Sequence, residues 1–171
     1  MKKMTSAYAG KLLRSLEEDK AYWVNRENES CTYVAANNEE PVIPEYDYAE
    51  VAATIEQIDA KIAVIRHALN LSNATAQVQV GDEVMSVDTI LIRMAQLNKR
   101  KGVLDWMRKQ LPKTRDDNNS YRARNAVPEY RYINYDLDLI KAEYERVSET
   151  IMEMQIALDR YNQTVEFEVE I

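Results

Sequence analysis

Two long, evenly stepped rows of apolar residues organise this chain. Tyr48, Val51, Ile55, Ile58, Ile62, Ile65 and Leu69 recur at alternating steps of three and four, and so do Leu137, Ile140, Tyr144, Val147, Ile151, Met154, Leu158 and Tyr161. That spacing keeps one face of an α-helix apolar and is the heptad pattern of helices that pack along a narrow seam. The first row predicts a helix from Asp47, which starts an Asp-x-x-Glu variant of the capping box with Glu50, to about Asn73. Its length is then roughly 40 Å at 1.5 Å per residue. The second row predicts a helix capped by Asn134, with Asp136 and Asp138 favourably placed near its positive end.

Two further helices are less regular. One is expected over residues 4–29, capped by Thr5 or Ser6, with a stripe of Leu12, Leu13, Leu16 and Trp23. The other is capped by Ser86 and carries Ile90, Met94, Leu97, Leu104 and Leu111, with Lys101 in one seam position and Pro112 marking its end. Between helices two and three, residues 77–80 alternate, Gly81-Asp82 supplies a two-residue turn, and residues 83–85 return. Glycine at the first central position suits a type II′ hairpin.

Short strands are also expected at residues 30–34, at 128–133 and at the C-terminus. There Val165, Phe167, Val169 and Ile171 alternate with Glu166, Glu168 and Glu170, as a half-buried strand does. Residues 37–44 and 113–126 are expected to be loops. The fold class that follows is mainly α. Four long helices form a coiled-coil-like bundle in one domain over 1–171, with a small β-hairpin at about 77–85 and a C-terminal strand at 164–171. The three glycines and four prolines agree, since a many-stranded β fold needs more punctuation.

Four short stretches resemble the septicolysin-like family of small bacterial proteins. They are Leu12-Leu13 with the downstream Asn25-Arg26, and His67 to Thr75 leading to Gly81. The others are Glu129 to Ile133, and Leu158 to Asn162 followed by Thr164. The family's Arg-Ile-Asn-x-Thr-Asn stands here as a variant within His67 to Asn73, and Gln163 replaces its usual tryptophan. The resemblance implies a helical fold with a β-hairpin and carries no established activity.

Net charge is −7, which disfavours nonspecific adhesion to nucleic acid or anionic lipid by the chain as a whole. The single Cys31, with no leader segment and no long apolar run, points to the cytoplasm and away from a membrane. The charge is unevenly spread. Residues 99–131 hold ten Lys or Arg against four Asp or Glu, with Trp106, Tyr121, Tyr130 and Tyr132 interleaved. Cations with stacking rings suit an anion or single-stranded nucleic acid, and Lys99, Arg100, Arg108, Lys109, Arg122, Arg124 and Arg131 are the candidate residues. The blander reading is a solvated loop or a cationic patch that docks on an acidic surface of another subunit.

Other chemistry is weaker. Asn70, Ser72, Asn73, Thr75, Asn162 and Thr164 suit helix ends better than a ligand pocket. Glu56 with Asp59, and Glu145, Glu149 and Glu153, have spacings that helical metal sites use, but the Glu-x-x-His of di-iron bundles is missing. Cys31 and His67 could act together only if folding joined them, and no nucleotide-loop or nucleophile-elbow motif accompanies them. The expectation is therefore a self-associating helical interaction protein with no catalytic, metal or cofactor site; the alternative is nucleic-acid or nucleotide binding through Lys99–Arg131, with metal-dependent hydrolysis at the helix carboxylates.

Overall fold

The computed structural model describes residues 1–116 and 129–171. Among them the order is β1 (Lys2–Thr5), α1 (Ser6–Ser30), α2 (Tyr48–Thr75), β2 (Gln77–Val80), β3 (Glu83–Ser86), α3 (Val87–Arg108), β4 (Lys113–Arg115), β5 (Tyr130–Tyr132), α4 (Leu137–Thr164) and β6 (Glu166–Val169). The strands form three antiparallel pairs, β1 with β6, β2 with β3 and β4 with β5.

Mainly helical structure with small strand pairs is what the sequence predicts, and each seam is largely buried, apart from Tyr48 at the start of the first. In α2, Val51, Ile58 and Ile65 are buried, with Ile55, Ile62 and Leu69 half-buried between them. In α4, Ile140, Val147, Met154, Leu158 and Tyr161 are buried. Gly81 has φ +55° and no other described residue has a positive φ, as the type II′ turn requires. Thr5 caps α1 and Ser86 caps α3, each oxygen accepting from a backbone N–H in the first turn.

The helices pair as two antiparallel hairpins. α1 lies along α2, joined by Lys20 to Asp59 at 2.7 Å, by Arg66 to Glu17, and by the Tyr46 hydroxyl donating to Glu27 at 3.2 Å. α3 lies along α4 around Leu104, Ile140 and Val147. Lys101 occupies its seam position by lying 5.4 Å over the Tyr144 ring, which keeps its charge while its stem covers apolar surface.

Both hairpins begin and end at one hub. There β1 and β6, the first and last strands, pair with Lys2 opposite Val169 and Met4 opposite Phe167. Met4, Ala9, Ile65 and Val169 form a buried cluster beneath them. The β2–β3 hairpin closes a second cluster of Val78, Val80, Met85, Val87, Ile90, Met154, Leu158 and Tyr161. Ser72 and Tyr161 link the two hairpins through a 2.7 Å hydrogen bond between their hydroxyls.

Several local expectations are corrected. The helix expected from Met4 starts at Ser6, because residues 2–5 are strand, with the Met4 side chain buried beside the C-terminal strand. Residues 30–34 form no strand. The Cys31 N–H still bonds to the Glu27 carbonyl, and residues 31–47 then run without helix or strand. Residues 113–115 pair with β5 instead of opening a loop; residues 117–126 of that expected loop lie outside the described residues. α4 is capped by Asp136 rather than Asn134, since the Asp136 carboxylate accepts from the N–H groups of Asp138 and Leu139. Leu111 lies beyond the end of α3 and is exposed.

The accessible surface is 12,985 Å². A compact monomer of 19.9 kDa exposes about 8,700 Å². Two helical arms leave the hub and cover little of each other, which adds to the exposed area.

Candidate interaction surfaces

The two arms differ in charge at their outer ends. Residues 17–59, the outer part of α1–α2, hold twelve Asp or Glu against two Lys or Arg, a net of −10. The described residues 99–116 and 129–131 hold eight Lys or Arg against three Asp or Glu, a net of +5. Residues 136–146 of α4 add four acids and two cations, leaving the outer α3–α4 arm at +3.

The expected cationic residues do not gather in one groove. Arg108 and Lys109 both bind the Asp105 carboxylate, at 2.7 and 2.5 Å. The Arg108 guanidinium also lies 4.0 Å from the Tyr144 ring centroid. Arg131 pairs with Asp116 at 3.3 Å. Lys113 sits 4.1 Å over Tyr130 and 5.6 Å over Tyr132. Lys99 and Arg100 are exposed on α3, and helical spacing puts Lys99 on the same face as Val103 and Trp106. Arg122 and Arg124 lie outside the described residues.

Lys109 and then Arg108, as hydrogen-bond donors, hold the Asp105 carboxyl below the ordinary aspartate value. The ionised form is favoured in the folded arm. The pair's contribution is therefore complete above the unfolded value of about 3.9 and is lost as pH falls through the lower folded value. An NMR titration of Asp105 should have its midpoint below 3.9, by direct comparison with model peptides. Removing both cations in Lys109→Ala/Arg108→Ala should raise that midpoint, and an unchanged midpoint would refute the assignment.

Beyond the cations, the end of the α3–α4 arm holds a notch of about 190 Å³ between Trp106, Leu111, Thr114, Arg131, Tyr132 and Ile133. Trp106, Leu111 and Tyr132 are each more than half exposed, at 61, 65 and 62 %. The other arm ends in the strap of residues 31–47, exposed throughout except at half-buried Pro44 and Tyr46. Val34 and Val42 are 100 and 90 % exposed, with Glu39, Glu40 and Glu45 beside them. Burial raises the Tyr46 phenol above its ordinary value, helped by its hydrogen bond to Glu27, and this contact anchors the strap's end to α1. The loop expected over residues 37–44 is present as the middle of this strap; its full extent over 31–47 and the notch were not foreseen. The available signal was an acidic, apolar stretch with two prolines and no helical or strand period.

A third surface lies at the hub, where a cleft of about 410 Å³ is lined by Ser6, Asn73, Leu91, Asp159, Asn162 and Gln163 among others. The buried Ser6 Oγ and Asn73 Oδ1 have no hydrogen-bond partner among the described residues. Asn73 and Asn162 were expected to serve helix ends; instead they face a shared cleft. Ser72 bonds to Tyr161, whereas Thr75 and Thr164 hydroxyls donate to the carbonyls of Leu71 and Arg160 one turn back.

The remaining candidates are separated. Cys31 is exposed at the outer end of α1, while His67 lies toward the hub end of α2. Nineteen residues of α2 separate His67 from the outer end at Tyr48, a rise of about 29 Å. Asp59 is held by Lys20 at 2.7 and 2.8 Å. Among the described residues no three His, Cys, Asp or Glu groups are placed to hold a metal ion. No described helix is long and apolar enough to cross a membrane.

No family model matches the chain, and no curated protein matches it. One solved structure is similar, the crystal structure of a functionally unknown conserved protein from Corynebacterium diphtheriae. It superposes with a TM-score of 0.64 at 13 % identity, covering 98 % of this chain and 100 % of that one. At that identity the likeness concerns the fold alone.

Proposed function

We propose that this is a non-enzymatic helical interaction protein that works in the cytoplasm as a homo-oligomer and belongs with the septicolysin-like proteins its short motifs resemble. The observation that carries the self-association is the exposed area, which exceeds that of a compact monomer by more than a standard interface buries, about 800 Å² per partner. Large apolar side chains lie exposed at both arm ends, among them Tyr22, Val42, Ile43, Tyr48, Val103, Trp106 and Leu111. Coiled-coil pairing of arms between copies would extend the rows that already pair within the chain.

Analytical ultracentrifugation at micromolar concentration is the direct measurement. The expected mass is twice the chain's 19.9 kDa or a higher multiple. A species of 19.9 kDa at every concentration would remove the oligomer. Nucleic-acid binding at the basic segment has less support. Lys113 covers Tyr130 and Tyr132, and Asp105 and Asp116 engage three of the expected cations.

A further inference from the structure

The strap of residues 31–47 has no place to bury its own apolar groups. Seventeen residues leave α1 and return to α2 without secondary structure, longer than most connections between packed helices, which run to about 8 residues. Val34, Val42 and Ile43 are exposed at 100, 90 and 63 %. Such a loop in a folded protein is commonly functional. Pro41 and Pro44 bracket Val42 and Ile43, and each proline ring fixes its own φ near −65°. The segment is thus partly pre-ordered as an extended ligand, which lowers the entropy lost on docking.

A complementary receptor stands at the end of the other arm. The notch beside Trp106, Leu111 and Tyr132 is open, and its apolar walls carry Gln110, Thr114, Arg131 and Asn134 among them, with Lys113 adjacent in sequence to Thr114. Its volume of about 190 Å³ suits one or two aliphatic side chains rather than a cofactor. The strap brings Glu39, Glu40 and Glu45 as its charges; the receptor arm brings Lys99, Arg100, Lys109 and Lys113. Opposite charge around a central apolar contact fixes orientation and speeds encounter.

We infer that the strap of one copy docks through Val42 and Ile43 into the Trp106–Leu111–Tyr132 notch of a second copy. This rests on the self-association proposed above and specifies its interface. Each chain carries both strap and notch, so a two-fold axis makes the contact twice and closes a dimer with no unmatched end. The acidic arm of each copy then lies against the basic arm of its partner.

The test uses the full chain and reads the dimer dissociation constant by sedimentation equilibrium, with circular dichroism checking that helix content is kept. Trp106→Ala should weaken the dimer at least about tenfold, as a central aromatic anchor does. Glu39→Lys/Glu40→Lys should weaken it by about tenfold at low salt and by less at high salt. Adding Lys99→Glu/Lys113→Glu to that double variant should restore the affinity to within about threefold of the parent. All positions are exposed, so the fold survives each change. A dimer insensitive to every variant would overturn the strap contact and leave self-association standing. A parent that is monomeric throughout would overturn both. A monomeric parent that binds a single-stranded oligonucleotide, and loses it in Lys99→Glu/Lys113→Glu, would assign the basic arm to nucleic acid instead.

Discussion

Ile90→Ala should lower the free energy of unfolding by about 3 kcal/mol, whereas Ile92→Ala, two residues along the same helix, should change it by less than about 0.5 kcal/mol. Ile90 is 0 % exposed, and Ile92 is 52 % exposed. Ile90 packs with Val78, Val80 and Met85 of the hairpin and with Met154, Leu158 and Tyr161 of α4. Removing its outer carbons leaves a void, because partners from three directions cannot all move inward. The loss is a large part of the 5–15 kcal/mol typical of a folded domain. It should lower the melting temperature by about 6–12 °C for a chain of this length. Equal effects at the two positions, measured by urea unfolding, would mean that the hub is not the point at which both arms are stabilised.

The helices were legible because their seams report burial directly. A row stepped by three and four suits a helix with one shielded face, and α2 and α4 bury or half-bury the rows the sequence shows, except at exposed Tyr48. Asp47 and Ser86 cap their helices as expected, and of the pair Thr5 or Ser6 it is Thr5 that caps α1, since each has a side-chain oxygen that can reach a free N–H. Asn134 failed because Asn134, Asp136 and Asp138 all stand close to the start of α4, and composition does not choose among neighbouring acceptors. β1 was hidden for a different reason. A four-residue edge strand with a single buried residue, Met4, has no period of its own and is defined by its partner at the far end of the chain, with Lys2 opposite Val169 and Thr5 opposite Glu166. Residues 30–34 illustrate the converse. Their β-branched and aromatic content fits a strand, but nothing in the fold offers an edge there, so propensity without a partner produced only exposed chain. The candidate cations were legible as charge but not as a site. Asp105 holds Arg108 and Lys109 by helical spacing within α3, but the Tyr144 ring over Arg108 comes from α4, and Asp116 reaches Arg131 beside the β4–β5 pairing, so these partners depend on tertiary packing.

Val169→Asp, in the last strand, should cost about 4 kcal/mol, against less than about 0.5 kcal/mol for its neighbour in Glu168→Gln. An acidic tail would tolerate both changes, so the pair of variants tells a structural strand from an appendage. Val169 is 1 % exposed and packs on Met4, Ala9 and Ile65, residues of β1, α1 and α2. An aspartate there loses the apolar contact and places a carboxylate where no water reaches it. Glu168 points the other way, 3.8 Å from Lys3 at the surface, and such pairs contribute little. The pH dependence supplies an independent check. Burial disfavours the charged form, so the introduced carboxyl would have its folded pKa raised above the unfolded value of about 3.9. The folded variant then holds its proton more tightly than the unfolded one. Its deficit relative to the parent is largest above the raised pKa and shrinks as pH falls toward 4. Denaturant unfolding of parent and variant at pH 7 and pH 4.5 reads this difference. A deficit that is small, or that does not shrink in acid, would mean that Val169 is not buried in the hub.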